Sequence, residues 1–293
     1  MLCRERLFAF DGGNAVVTVR AWIWEDPAIH MKSLFLLILA LTFCSAALAQ
    51  PNSPDGLTYK SGYSSIIKLG KDLYSALPKS EKEFVSPQPI SIETDITPFI
   101  RLLYFPDEPK PVRGVWISAG FIDLVNNISH AKAIDGIEKN YFNRYIEILS
   151  LETGEKSLRP LPNDTKAAYW TDDMLNEQLS NFNSIVGIVV GNKLAHHYLG
   201  HYDKYKDKLS DGKGNPVPIN NVITPQEWEE AFLKGVRNAL EAGCTVEGAI
   251  PFYEAFDKMK QRPPWTAYFI PANLKFAKLK KQLEKVQRDF FNK

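Results

Sequence analysis

The stretch SIVGIVVGNKLAHHYLGH, residues 184–201, combines a long apolar run with a cluster of histidines. Segment 184–191 is apolar on every side of a helix, which is typical of a helix buried at the centre of a domain and not of one on its surface. Three of the chain's five histidines, His196, His197 and His201, follow directly. The stretch therefore predicts a central buried helix that ends in a possible metal-binding site.

The spacing of these histidines tests whether they could form a hydrolytic zinc site. Such a helix needs two histidines four residues apart and a glutamate directly after the first, as general base on the metal-bound water. His197 and His201 have this spacing, but Tyr198 holds the position of the base. An unperturbed tyrosine, with a pKa of about 10, is a poor base at neutral pH.

The other two registers lack a first histidine as well as the base. In the register that ends at His196, the ligand position holds Asn192 and the base position holds Lys193; in the one that ends at His197, they hold Lys193 and Leu194. No register therefore supplies the glutamate.

Three segments resemble one family. GNKLAHHYLGH (191–201) is similar to the metal-binding helix of the gluzincin metallopeptidases related to the CAAX prenyl endopeptidases and HtpX-like peptidases, including exported soluble bacterial members, where HELAHHxxGH is common. WEEAFLKGVRNALEAGCTVEGAIPFYEAF (228–256) resembles their second metal-site helix, and RGVWISAGFIDLV (113–125) the strand and turn that seat the substrate. The likeness covers residues 113–125 and 185–256 in family order, although about 70 residues separate the turn from the histidines, more than the family usually has.

The resemblance implies a zincin-like fold, with zinc as cofactor, but it matches the family's site at one position. The two zinc histidines, the base glutamate, the third-ligand glutamate and the supporting aspartate fall on Asn192, His196, Lys193, Trp228 and Phe232 respectively. A lysine ammonium repels a divalent ion, and an indole has no metal-binding atom. An ordinary gluzincin mechanism is therefore not expected.

Two functions follow from this degenerate HExxH motif. In the first, the chain has lost peptidase activity and uses the former active-site cleft, lined by Trp228, Phe232 and Tyr198, as a binding surface or scaffold for a protein or peptide.

In the second, the chain holds a metal such as zinc in a shifted site, as a metalloprotein or hydrolase. The ligands would be His197 and His201, joined by His196 or by Glu229 or Glu230 of the following helix. Gly200 weakens this site because it can end the helix between the two histidines.

The rest of the sequence predicts a mainly helical α+β domain. Apolar spacing predicts a first helix over 62–77, and the stretch from Pro78 to Pro89 reads as a loop. Ile100–Phe105 and Gly114–Ile117, joined by turn-forming residues, predict a small antiparallel hairpin. Helices follow over 120–134, 141–150, 172–205, 225–242, 246–259 and 276–291. Thr224 and Glu227 form a capping box that opens the helix at 225.

Two further groups of residues have competing interpretations. Asp123, His130, Asp135 and Glu138 could form an acid/base group, although their helical pattern favours a solvated face. Cys244 could be a nucleophile, although a small core residue at a helix end is favoured.

The N-terminal sequence predicts export. Residues 31–49, MKSLFLLILALTFCSAALA, have the lysine, the short apolar run and the small residues of a secretory signal peptide, which predicts a secreted or periplasmic protein with no transmembrane anchor after cleavage. Residues 1–30 are then expected to be a misassigned upstream start. Residues 50–293 are expected to form a single zincin-like domain.

Composition narrows the classes of partner. A net charge of +1 provides no broad positive field, so nucleic acid is not expected as a partner. Proteins, peptides and small molecules remain.

Overall fold

The computed structural model describes residues 3–11, 16–24, 62–106 and 110–292. The chain divides into two units, Met1–Gln50 and Pro51–Lys293. In the first, β1 (Cys3–Asp11) and β2 (Val16–Trp24) form an antiparallel hairpin. The predicted signal peptide, residues 31–49, lies outside the described residues.

The second unit is α+β and mainly helical, as the sequence predicts. Its strands are β3 (Ile90–Glu93), β4 (Ile100–Phe105) and β5 (Val112–Ser118). Its helices are α1 (Gly62–Ala76), α2 (Lys79–Lys82), α3 (Ala119–Asp135), α4 (Tyr141–Leu149), α5 (Asp172–Tyr198), α6 (His201–Tyr205), α7 (Pro225–Glu241), α8 (Ile250–Lys258) and α9 (Phe276–Phe291). None of the helices described is long and apolar enough to cross a membrane.

Helix α5 lies at the centre of this unit, as its sequence predicts. Thr171 caps it by accepting a hydrogen bond from the backbone N–H of Met174. Every residue from 184 to 197 is buried. The helix stops where Gly200 adopts a left-handed φ of 75°, so α6 starts as a separate short helix at His201.

The sheet has three strands in the order β3–β5–β4 and is mixed. The predicted hairpin of β4 and β5 is confirmed, but β3 adds a parallel partner to β5 that the prediction of an antiparallel sheet missed. The predicted loop from Pro78 to Pro89 contains the short helix α2. Gly114 allows the approach of β3, since a Cβ there would lie 2.1 Å from the carbonyl oxygen of Pro89.

Helix α3 corrects a prediction. The sequence favours a solvated face for Asp123 and His130, but both side chains are buried, at 4% and 1% exposure. The reason is that α3 packs between the sheet side and α5, so residues 119–131 are buried all round. His130 Nε2 donates to the carbonyl oxygen of Tyr169 at 2.6 Å, and Glu138 instead pairs with Arg144 and Lys166 nearer the surface.

Helices α5 and α7 make a close crossing at two glycines. A Cβ on Gly235 would lie 2.2 Å from the backbone nitrogen of Asn192, and one on Gly191 would lie 2.7 Å from the carbonyl oxygen of Gly235. The predicted capping box of Thr224 and Glu227 is present at the start of α7. The crossing therefore fixes the backbone at Asn192 and Lys193 against α7.

This crossing predicts a strong response to one added methyl group. We expect Gly235→Ala to lower the free energy of unfolding by about 1–3 kcal/mol or more, because the new atom meets backbone that cannot move aside. Urea denaturation of the variant and the parent measures the difference. Gly212→Ala is the control, since nothing lies within 4 Å of a Cβ there; an equal loss in both variants would contradict this description of the crossing.

Candidate functional site

Lys193 occupies the core of the candidate site. Its side chain is buried, at 1% exposure, and its Nζ donates to Oδ1 of Asn220 at 3.0 Å. The amide of Asn220 is held in turn because its Nδ2 donates to the carbonyl oxygen of Ala267 at 2.9 Å. Burial lowers the pKa of Lys193 to about 7 because an ammonium loses its hydration in the core.

Trp228 and Phe232 lie on the face of α7 that packs toward this region. Trp228 is buried and stacks on Phe232 with ring centroids 4.9 Å apart. Together with Asn220, Trp228 lines a surface cavity of about 310 Å³. Lys193 and Trp228 thus share Asn220 as a neighbour, and the indole Nε1 has no acceptor among the described residues.

His196 and His201 are brought together across the helix break. Their Nδ1 atoms are 3.0 Å apart, so one imidazole donates its Nδ1–H to the other. Burial first, and then the nearby Lys193, His201 and His197, hold the pKa of His196 well below its usual value. Both rings are therefore neutral near pH 7.

His197 faces a different part of the molecule. Its Nε2 donates to the carbonyl oxygen of Gly114 on β5 at 2.8 Å, and its ring packs on Tyr202. Burial lowers its pKa to about 4. Consecutive helix residues point about 100° apart, and Gly200 turns His201 toward His196, so the structure pairs His201 with His196 and not with His197.

The two glutamates proposed as third ligands differ in their surroundings. Glu229 accepts hydrogen bonds from Lys278, at 2.6 Å, and from Gln282 on α9. Glu230 is exposed. Burial lowers the pKa of His201, and the charges of Glu227 and Glu230 oppose this effect, which indicates that Glu230 acts on His201 electrostatically.

Asn192 is buried and Tyr198 is half-buried with its hydroxyl inside the protein. Asn192 Nδ2 and the hydroxyl of Tyr198 have no hydrogen-bond partner within the described part of the chain. Burial raises the pKa of Tyr198, so it is not a base at neutral pH. Neither residue supplies the group that a hydrolytic site requires.

The donor set that the resemblance aligns with zinc does not fit the ion. Of the aligned residues only His196 has an imidazole. Its Nδ1 pairs with His201, its Nε2 has no partner among the described residues, and Lys193 lies close enough to lower its pKa electrostatically. Within 62–106 and 110–292, no three His, Cys, Asp or Glu side chains form a group that could hold a metal ion.

Two features of the site carry no sequence signal of their own. Asn220 lies in a Gly-, Asn- and Pro-rich stretch that reads as a loop, yet its amide is the hydrogen-bond partner of Lys193. The contact between His196 and His201 depends on the turn at Gly200. The two residues are not spaced as neighbours on one helix face, so the helical pattern does not predict the contact. Cys244 is partly buried, and burial raises the pKa of its thiol to about 11, which fits a packing role.

Comparison with known proteins adds no relative: no protein-family model, curated protein or solved structure matches this chain.

The buried amine predicts an unusual dependence of stability on pH. An unfolded lysine with a pKa of about 10.4 stays protonated where the folded one has lost its proton, so the unfolded state binds more protons between the two values. Stability is then lost as the pH falls toward 7. We expect the free energy of unfolding to rise by up to about 1.4 kcal/mol per pH unit from about pH 7 to 9.

Lys193→Met removes the titrating group and keeps an apolar chain of similar length, so the rise should disappear. Urea unfolding at several pH values measures it. Lys213→Met, at an exposed position, should keep the slope of the parent; a slope that survives in Lys193→Met would refute the buried amine as its source.

Proposed function

We propose that residues 62–292 belong to an exported, zincin-like protein that has lost gluzincin peptidase activity and uses its former active-site cleft to bind a protein or peptide. The observation that carries the proposal is the hydrogen bond between Lys193 and Asn220. It puts a buried amine where the resemblance aligns the general base.

The chemistry of the aligned positions argues against hydrolysis. Activation of a metal-bound water needs a carboxylate or comparable base beside a Lewis acid. Lys193 near its pKa of about 7 is partly a cation and has its nitrogen bonded to Asn220. Trp228 stacks on Phe232 where the third ligand would stand. Trp228 has no atom that binds a metal ion. Lys193 is partly a neutral amine near pH 7, but its side chain is buried at 1% exposure and therefore meets no solvent that it could activate.

The cavity beside this centre supports a binding role. It is lined by amide and apolar side chains, with no charged group: Asn220, Asn221, Ile223, Thr224, Pro225, Trp228, Pro271, Ala272 and Asn273. The exposed amides of Asn221 and Asn273 offer hydrogen bonds to neutral polar groups such as peptide units. The lining therefore favours an uncharged polar ligand over an ion.

The first test is enzymatic. We expect the purified parent protein to cleave no casein and no fluorogenic peptide library, with or without added zinc. Cleavage that a chelator abolishes, and that zinc restores, would overturn the proposal. Lys193→Ala serves as a second sample, since activity in both proteins would place any hydrolysis away from this centre.

A second test rebuilds the aligned zinc site. We expect the variant with Asn192→His, Lys193→Glu and Trp228→Glu to bind one zinc ion, because these changes restore the family's ligands around His196. At zinc 100-fold above the dissociation constant, binding should add about 2.7 kcal/mol of stability.

The matched control adds His196→Ala to the same variant and should lose the zinc-dependent gain, measured by thermal unfolding with zinc or a chelator. Circular dichroism establishes that each variant folds. A folded variant that takes up no zinc would show that the alignment with the gluzincins is wrong.

A shifted metal site is the second candidate function, and one observation favours it. The Nδ1 atoms of His196 and His201 are 3.0 Å apart, close to the separation of about 3.3 Å that two ligands at 2.0–2.1 Å require around a tetrahedral ion. Glu227 and Glu230 act electrostatically on His201, and Glu230 would have to move toward the two rings to become the third ligand, because no three such side chains are grouped among residues 62–106 and 110–292. His197 does not join this set because it bonds to Gly114.

Metal analysis separates the two candidates. Protein prepared without an affinity tag is dialysed against zinc, and bound metal is measured by mass spectrometry for the parent, His201→Ala and His197→Ala. The binding role without metal predicts less than stoichiometric zinc in all three. One zinc per chain that His201→Ala alone removes would establish the shifted site instead.

A further inference from the structure

Strand β4 forms a free edge of the three-stranded sheet. Strand β5 is paired on both sides, with β3 and with β4, so it cannot pair with a further strand, whereas the resemblance places the substrate along β5. An edge strand exposes a row of unpaired N–H and C=O groups to any extended chain beside it. On the β4 side of the sheet, the strand Ile100–Phe105 is therefore the one that a further strand can pair with.

The register shows which backbone groups of β4 point outward. Ser118 N donates to the carbonyl oxygen of Phe99, and hydrogen-bonded pairs alternate along an antiparallel ladder. Arg101 and Leu103 therefore bond to β5, while Leu102 and Tyr104 direct their N–H and C=O groups away from it. Within the described part of the chain, those groups have no backbone partner.

A groove of about 300 Å³ lies along this edge. Residues 100–105 of β4 form one wall, and parts of the 209–219 segment form the other. Five aromatic residues are among those that line the groove, where they can contact the side chains of a bound chain: Tyr104, Phe105, Trp116, Tyr202 and Tyr268. The groove thus combines an open backbone ladder with apolar contact surface.

The charges of the groove are of one sign. Arg101 and Lys206 line it, and no aspartate or glutamate does. The Arg101 guanidinium lies 3.7 Å from the ring centroid of Phe99 and 5.4 Å from that of Tyr268, and its Nε has no hydrogen-bond partner among the described residues. Stacking holds this guanidinium in place with its Nε buried, while its terminal NH2 groups remain able to bind a carboxylate.

We propose that the β4 groove binds an extended acidic segment of a partner protein, which pairs with Leu102 and Tyr104 as a further strand and places a carboxylate on Arg101. Leu102 and Tyr104 are two residues apart and therefore lie about 6.8 Å apart along β4, which equals the distance between alternate residues of a bound strand. Backbone pairing would supply affinity, and Arg101 would select for charge. This site is separate from the cavity at Trp228 and does not rest on the proposed function.

The alternatives fit the groove less well. A second copy of the chain that paired through β4 in antiparallel fashion would bring like charges, including both copies of Arg101, into one interface. Nucleic acid would need a wider positive field than a chain of net charge +1 provides. An acidic peptide meets both the backbone ladder and the unpaired cations.

The test uses fluorescein-labelled heptapeptides of alternating Thr and Val with a central Glu, Gln or Lys, measured by fluorescence anisotropy on the full chain. We expect the Glu peptide to bind at least tenfold more tightly than the Lys peptide. In the bound peptide, the N–H groups of alternate residues point toward β4 and those of the remaining residues point away from it. N-methylation of the first set should therefore abolish binding, and N-methylation of the second set should not.

Two variants connect binding to the groove. Arg101→Gln should weaken the Glu peptide about tenfold and leave the Gln peptide within twofold, since only the charge contact is lost. Leu102→Pro removes an outward N–H, which an edge strand tolerates, and should weaken every peptide. Arg237→Gln, an exposed arginine on α7, is the matched control and should change nothing.

Several outcomes would overturn the proposal: no binding by the Glu peptide, equal binding by the Glu and Lys peptides, or loss of binding in Arg237→Gln. Tighter binding of a labelled single-stranded oligonucleotide would assign the groove to nucleic acid. A concentration-dependent dimer in sedimentation velocity that Leu102→Pro dissociates would assign it to a second copy. Because the peptidase and zinc assays involve neither Arg101 nor Leu102, failure here leaves the proposed function untouched.

Discussion

The close approach of α5 and α7 at Gly191 and Gly235 determines the candidate site. Backbone meets backbone at this crossing, and neither helix can rotate or shift without a clash. The crossing therefore fixes where Asn192 and Lys193 stand relative to α7. Trp228 lies seven residues before Gly235, about two helical turns away, so it comes to lie near Asn220, the hydrogen-bond partner of Lys193.

Burial then sets the chemistry of the groups that this crossing holds. Lys193, His196 and His197 lie in a core with few polar atoms, so each is shifted toward its neutral form. A core that favours neutral nitrogen is a poor place for a dication without carboxylate ligands. The same residues are thus consistent with a packed core in which hydrogen bonds among nitrogen-bearing side chains occupy the place where a metal centre would need carboxylate ligands.

Much of the fold was predictable because it depends on local pattern. The apolar run 184–191 and the capping box at Thr224 each act over a few residues, and the structure has both as predicted. The single helix predicted over 172–205 is wrong, because the left-handed backbone of Gly200 divides it into α5 and α6. Strand β3 was missed because its pairing with β5 is non-local and its four residues lie in a Pro-rich stretch. The burial of Asp123 was missed because polar residues normally indicate a solvated face.

The candidate site was less predictable, since its contacts join distant parts of the chain. Sequence identified the residues of the histidine cluster but paired His201 with His197, whereas the break at Gly200 brings it to His196. Asn220 and Arg101 owe their importance to what packs beside them. Three-dimensional neighbours of this kind leave no periodic trace in a single sequence.

Ile219 and Asn220 are adjacent in the chain but face different regions. Ile219 lines the groove beside β4, while Asn220 accepts the hydrogen bond from Lys193 in the core. Any displacement of this backbone at the surface must move the amide oxygen inside and so alter the proton affinity of the amine. The NMR resonance of the Lys193 ζ-nitrogen should therefore report on the conformation of the 209–219 segment, although Lys193 does not line the groove.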